Sequence, residues 1–456
     1  MKLWEKGLNS NEIMHRLTVG DDPFYDKFLL PFDCLGTSAH ADVLLEAKII
    51  DQKEYNSINS SLHDIYQLAV EFKIDIPSEY EDCHTTLENI LTQKIGDTGK
   101  KIHTGRSRND QIILTQRLFL RTALLESLSY LLKVSEKLKT LYERDRSKFM
   151  PGYTHLQTAM PSTVGIWWHS VAEAILLSIK EGIQLYQNLN INPLGAAAGF
   201  GSGLNLNREI SAKKLNFDSV QRNFVDIQNS RGRFEEKFLF WATKVASITE
   251  KFAWDLSLFS TKEFGFVKLP VEFTTGSSIM PQKRNPDLVE LLRARSASLT
   301  GSLSQIQSVL SKLPSNYHRD LQLTKPPFFD GLRNFQIILE MFSTLIDVVE
   351  FDENKLSSRK DPELFATYEA YRLVQQGIPF REAYQIVANQ VSLGNFNPKD
   401  SQPNFDIIKS EIEKYFYVYL EELGSISLAV STLSAKINYP NNILPITWLS
   451  THKWFS

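Results

Sequence analysis

Cysteine is almost absent from this 456-residue chain: Cys34 and Cys83 are the whole complement. Two thiols build no disulfide framework, and no Cys-pair or HExxH spacing accompanies them, so neither a stapled secreted scaffold nor a standard zinc site is expected. Long apolar runs are missing too. None approaches the roughly 18 residues that span a bilayer, and the opening Met1-Lys2-Leu3-Trp4-Glu5-Lys6 lacks the apolar core of a signal peptide. Charge of one sign is not in excess: 50 basic and 53 acidic residues leave −3, with no block of like charge. That argues against a general nucleic-acid surface. Neither an internal repeat nor a low-complexity tract is found. A soluble, cytoplasmic protein is expected, with neither nucleic acid nor membrane as partner.

Glycine and proline are absent over 110–144, where Leu114, Leu118, Leu124, Leu125, Leu128, Leu131 and Leu132 recur at helical spacing. At 1.5 Å per residue that helix runs roughly 50 Å. Further long helices are expected over about 162–188, 233–260, 287–310 and 330–351. In the third of these five, Phe238, Phe240, Trp241, Val245, Ile248, Phe252 and Trp254 cover much of a cylinder. A helix apolar on several sides is buried on several sides, so oligomerisation through a bundle is inferred. The first hundred residues read as mostly helical, with turns at Pro23, Pro31 and Pro77. The last hundred read as a smaller helical domain after the polar break 352–362, and the fold of 439–456 is not legible. The expected fold class is all-α, in three domains: 1–105, a central long-helix bundle 106–354, and 355–456.

Five polar segments carry candidate chemistry. Gly276-Ser277-Ser278-Ile279-Met280-Pro281-Gln282-Lys283-Arg284-Asn285-Pro286-Asp287 is a loop opening into a helix whose face is read from Leu288, Leu291, Leu292 and Leu299. Asp287 or Asn285 is a candidate cap, and a helix N-terminus attracts anions, so Lys283 and Asn285 sit where a carboxylate would be held. The loop 97–111, with Ser107, Arg108 and Asn109, places hydroxyl, guanidinium and amide before the longest helix, suited to the same task. The turn 151–161 puts His155 beside Thr154, where proton transfer at neutral pH is feasible. The connection 313–326 mixes Tyr317, Gln322 and Lys325. Segment 81–88 sets His84 and Glu88 four residues apart on one helical face, read as a solvated face or as support for the site.

Together these segments resemble the argininosuccinate lyase family of the fumarase/aspartase superfamily. The Gly-Ser-Ser loop marks the superfamily. The similarity covers nearly the whole chain, from Lys2-Leu3-Trp4 through Gly36-Thr37-Ser38-Ala39-His40-Ala41 and His103-Thr104-Gly105-Arg106-Ser107-Arg108-Asn109-Asp110-Gln111 to Gly377-Ile378-Pro379-Phe380-Arg381-Glu382-Ala383-Tyr384, and the strings 104–111 and 379–383 are what narrow it. It implies reversible β-elimination of argininosuccinate to arginine and fumarate, in arginine biosynthesis, with neither metal nor organic cofactor. It implies Ser277 as the base, acting as an oxyanion held by nearby N–H groups or handing its proton on. Lys283 and Asn285 would stabilise the reacting carboxylate, and His155, paired with Glu290, would serve proton transfer directly or through water. Ser107, Arg108, Asn109 and Thr154 would bind the succinate part; Tyr317, Gln322 and Lys325 the arginine end. In the family these segments meet from three subunits of a homotetramer.

The chain departs from the family pattern in places. Thr37 stands for a usual Ser, Met160 for Gln, Tyr384 for His, and Leu323-Thr324 for an acidic pair. Ser230-Arg231-Gly232-Arg233-Phe234 replaces an acidic Ser-Asp/Glu-Arg-Asp-Phe run, so the role of Arg231 or Arg233 is open. The rival readings are another fumarate-forming lyase of the superfamily, a non-catalytic crystallin-like homologue, and a helical scaffold or binding protein.

Overall fold

The structure, a computed structural model, describes residues 12–398 and 402–437; the opening Lys2-Leu3-Trp4 and the stretch 439–456 lie outside them. Its frame is eleven helices, named here in chain order: α1 Asp22–Glu46, α2 Gln52–Val70, α3 Cys83–Ile95, α4 Arg108–Asp145, α5 Val164–Leu189, α6 Arg233–Phe259, α7 Asp287–Leu310, α8 Lys325–Val348, α9 Ala366–Gln375, α10 Phe380–Ser392 and α11 Gln402–Lys436. The class is all-α, with three small two-stranded sheets among the described residues. No described helix is long and apolar enough to cross a membrane.

Helices α4 to α8 are the five expected from leucine and aromatic spacing. Ser107 caps α4 in a reciprocal box with Asp110, and the Thr163 side chain caps α5 by accepting the Ile166 N–H. The five run alternately up and down. Leu189 at the end of α5 accepts from Arg117 near the start of α4, while Asp255 near the end of α6 accepts from Trp167 at the start of α5. Leu118, Leu124, Leu128, Trp168, Phe238, Phe335 and Phe342 fill the space between. One continuous core extends from here through α1 and α2 and takes in α11, whose Phe416 stacks on Tyr142 at 3.8 Å. Small clusters around Phe365 and Ala383 serve the α9–α10 end.

Several local expectations are corrected. Pro31 does not mark a turn but lies inside α1; burial on nearly all sides of that helix outweighs the lost hydrogen bond. Helix α8 begins at Lys325 rather than residue 330, because Pro326 and Pro327 occupy first-turn positions whose N–H groups have no helical partner anyway. It stops at Val348, and Glu350–Phe351 pairs with Val267–Lys268 instead. The turn before α5 is a β-hairpin, β1 Phe149–Thr154 with β2 Gln157–Thr163. His155 and Leu156 form its tip at φ +52° and +58°. On α7, Leu292 and Leu299 are buried, but Leu291 is 54% exposed on the other side.

Gly165 lets α5 start against the end of α4: a Cβ there would sit 2.4 Å from the Cα of Arg146, which caps α4. Backbone cannot yield as a side chain does. Gly165→Ala is expected to cost about 1–3 kcal/mol, read as a lower urea midpoint at unchanged slope.

Candidate active site

An open cleft lies at the end of the bundle where α4 begins, and Asp22, Arg108, Asn109, Arg231, Tyr317 and Gln322 line it. The start of α4 is fixed by Asp110. One carboxylate oxygen accepts the Ser107 N–H at 3.0 Å, and the other accepts from Ala197 and Gly195 at 2.9 and 3.2 Å. Burial nevertheless pushes its pKa up. Ser107 Oγ accepts the Asn109 N–H at 3.3 Å. Arg108 donates from Nε to Asp82 at 2.9 Å, makes a closer contact from Nη2 to the same oxygen, and reaches Glu81 at 3.4 Å. Asp82 also caps α3 through the Thr85 N–H at 2.8 Å. Burial opposes its charge, but His84 and Arg108 prevail and hold its carboxyl below the usual range. Arg108 is thus aimed by a carboxylate that is itself held.

The other wall comes from the 313–326 connection. Tyr317 and Gln322 face the cleft, and Gln322 Nε2 donates to Thr18 O at 2.9 Å. Lys325 lies behind that wall. Its ammonium, 3% exposed as a residue, pairs with Asp26 at 2.6 Å and Asp22 at 2.9 Å. Burial works against this charge, yet the two carboxylates raise its pKa and keep it protonated. His84, expected on a solvated face or in support of the site, is buried against Asp33 with Nδ1 2.9 Å from the carboxylate; the neighbour that decides this, on α1, is fifty residues away in sequence. Asp33, Cys83 and His84 gather three potential metal donors. The first and last neutralise each other once the imidazole is protonated, which makes an ion pair the simpler account.

The remaining candidates lie elsewhere. Thr154 and His155 are exposed at the hairpin tip. In the loop before α7, Asn285 N–H donates to Thr275 O at 2.8 Å and Thr275 N–H to Asn285 O at 3.1 Å, closing the loop at its neck. Inside it, Ser277 Oγ accepts the N–H groups of Met280 at 3.2 Å and Ile279 at 3.4 Å. Lys283 and Glu290 are exposed. The expected capping is corrected: Pro286 takes the cap position without a side-chain bond, the Asp287 carboxylate receives the Thr275 hydroxyl, and the Asn285 amide lies 3.4 Å from Thr275 Oγ1.

A family model described as Lyase matches residues 21–301. The argininosuccinate lyase of Phocaeicola vulgatus is 39% identical over 395 residues, covering 87% of this chain and 89% of that protein. The chain belongs to the argininosuccinate lyase family. The argininosuccinate lyase of Thermotoga neapolitana is 38% identical, covering 85% and 98%. Among solved structures, an EDDS lyase in complex with formate superposes with a TM-score of 0.72 at 21% identity over 98% of both chains. A class II fumarase from Schistosoma mansoni gives 0.66 at 15% identity, over 86% of this chain and 91% of that one. These last two are likenesses of fold.

Distance separates the candidate residues: α7 has 24 residues, so its ends are roughly 36 Å apart. Ser277, Lys283, Asn285 and Glu290 sit at one end of the bundle, with Thr154 and His155. Ser107, Arg108, Asn109, Tyr317, Gln322 and Lys325 sit at the other. A single chain does not bring the two groups together, and among the described residues His155 and Glu290 form neither a hydrogen bond nor an ion pair. Sequence reasoning did not single out Asp22 or Thr18, which carry no motif signal, and gave Arg231 no role.

The His84–Asp33 pair has a pH signature. Burial disfavours the imidazolium, but Asp33, then Asp82 and Asp26, raise its pKa above the ordinary value. A raised folded-state pKa contributes stability in full below the unfolded value, roughly 6.5, and loses it as pH rises through the folded value. The stability gap between wild type and Asp33→Asn is expected to be largest near pH 5 and to shrink towards pH 9 in denaturation series; a gap independent of pH would remove the charged pair.

Proposed function

We propose that this chain catalyses the reversible β-elimination of argininosuccinate to L-arginine and fumarate. The proton to be removed lies beside a carboxylate, so negative charge accumulates and needs preorganised donors. The observation that carries the reading is Ser277, whose Oγ already accepts two backbone N–H groups. Such donors favour an oxyanion over a neutral hydroxyl. The carbon-bound proton passes to Ser277 Oγ, the electron pair forms the C=C bond of fumarate, and the C–N bond breaks. His155, directly or through water, returns a proton to the departing guanidinium nitrogen, with Glu290 fixing its tautomer. Lys283 and Asn285 hold the reacting carboxylate. Ser107, Arg108, Asn109 and Thr154 hold the rest of the succinate part, and Tyr317 and Gln322 the arginine end. Lys325 serves that end through Asp22, which it holds at the cleft wall.

A homotetramer with shared sites belongs to the same proposal, because the candidate residues occupy opposite ends of the bundle. The outer side of α7 supports it: every exposed residue from 291 to 308 is uncharged, among them Leu291, Ala294, Ala297, Ser298 and Gly301. Phe240 and Trp254 on α6 are also half exposed in the single chain. The division into 1–105, 106–354 and 355–456, a cytoplasmic location and a place in arginine biosynthesis complete the reading.

Incubation with argininosuccinate, adenylosuccinate, aspartate and malate, following fumarate absorbance, tests the reaction. Turnover of argininosuccinate alone is expected; turnover of another substrate instead would establish a different lyase, and none at all a crystallin-like homologue. Ser277→Ala is expected to abolish elimination while leaving substrate affinity largely intact, because the base acts chiefly in the transition state. Mixing Ser277→Ala chains with His155→Asn chains is expected to restore some activity; mixed assemblies that stay dead would count against shared sites.

Gly301 tests the assembly separately. A Cβ there meets nothing within 4 Å in the single chain, so Gly301→Leu is expected to leave the monomer's fold intact and break the tetramer, read by light scattering. A variant tetramer of normal stability would place α7 outside the interface.

A further inference from the structure

Arg231 carries a charge that the described residues leave without hydrogen-bond partners. It follows the short helix Phe224–Asn229 and precedes Gly232 at φ +82°. It is 3% exposed, and its guanidinium carbon lies 5.1 Å from the centre of the Tyr317 ring. Its Nε and Nη1 have no hydrogen-bond partner among the described residues. Buried N–H groups left unmade cost free energy, and the fold bears that cost where two clefts adjoin. Arg231 lines both the cleft described above and a neighbouring one that also includes Asn316 and Leu321.

The other cations here are committed. Arg108 is held by Asp82 and Glu81, Arg319 donates to Thr18 O at 2.6 Å, and Lys325 holds Asp22 and Asp26. Asp22 and Glu235 feel the charge of Arg231 but accept no hydrogen bond from it among the described contacts. The guanidinium carbon lies over the Tyr317 ring, and no donor of the group is committed to a hydrogen-bond partner among the described residues, which leaves a charge able to take a carboxylate.

We propose that Arg231 is a specificity-determining residue that receives the α-carboxylate of the amino-acid half of the substrate, with Asp22 on the same cleft presented to the α-ammonium. This rests on the reaction proposed above. A zwitterionic amino-acid head needs one cation with free donors and one carboxylate side by side, and the cleft lining supplies both.

The test compares wild type, Arg231→Gln and Arg231→Lys as whole assemblies. For Arg231→Gln, KM for argininosuccinate is expected to rise roughly ten- to hundredfold, the loss of a charge-assisted contact, far more than kcat falls. By calorimetry, wild type is expected to bind L-arginine more tightly than agmatine, which lacks the α-carboxylate, and Arg231→Gln to erase that preference. Arg231→Lys should recover part of it. Removing an unpaired buried charge should leave the melting temperature of the ligand-free protein unchanged or higher, with the same assembly size. An unaltered KM or an intact preference for arginine would overturn the inference. So would a lower melting temperature or a broken assembly, which would make Arg231 a structural contact. Failure of the reaction itself is read separately, in a wild type that does not consume argininosuccinate.

Discussion

Burial of the Lys325 ammonium between Asp26 at 2.6 Å and Asp22 at 2.9 Å ties together three elements that make the cleft. Asp22 and Asp26 belong to α1, Lys325 opens α8, and the second oxygen of Asp26 accepts the Cys83 N–H at 2.9 Å, at the start of α3. One residue earlier, Asp82 caps α3 and aims Arg108. The position of Arg108 at the cleft therefore traces back, carboxylate by carboxylate, to a lysine that does not itself line it. A buried ion cluster of this kind adds little net stability over an apolar substitute, but loss of one member leaves uncompensated charge inside and is strongly destabilising. Its value lies in geometry: it admits one arrangement of α1, α3 and α8.

The same end of the bundle holds further buried polar ties. Arg121 donates to Asn190 Oδ1 at 2.7 Å and Leu215 O at 2.9 Å, and Arg117 to Ile191 O at 2.9 Å. Arg117 thus serves main-chain carbonyls of the chain leaving α5, and Arg121 ties the Asn190 side chain there to the carbonyl of Leu215. The opposite end is built differently. Its hairpin tip and signature loop are exposed, and the loop is closed chiefly by the backbone pair between Thr275 and Asn285. One end is cross-tied by buried polar contacts; the other carries hydroxyl, imidazole and ammonium groups on loops that a single chain leaves open to solvent.

How much was legible follows from that division. Periodicity located α4 to α7 to within a residue or two, because each buries a stripe against its neighbours and the stripe is written in the local sequence. The start of α8 was missed because Pro326 reads as a breaker, although proline suits a first turn. Pro31 was misread because its helix is sustained by packing from distant segments. The hairpin was read as a turn, since its residues show no clean alternation. Among site residues, loops rich in hydroxyls, amides and cations announced themselves, and the family resemblance assigned them roles. Asp22 did not, as an ordinary acidic residue in a helical first turn; nor did the partners of Lys325, which lie some three hundred residues away in the chain.

A charge is read from sequence as an available charge, and here lies the physical limit of such reading. Lys325, Arg108 and Arg231 are equally cationic in the sequence, yet in the fold the first is saturated by two carboxylates, the second is tethered at the cleft, and the third has donors without partners among the described residues. Only the third arrangement carries a standing cost in the ligand-free protein. Natural proteins retain such a cost where a ligand relieves it, so the unpartnered donors of Arg231 say more about what enters the cleft than the number of cations around it.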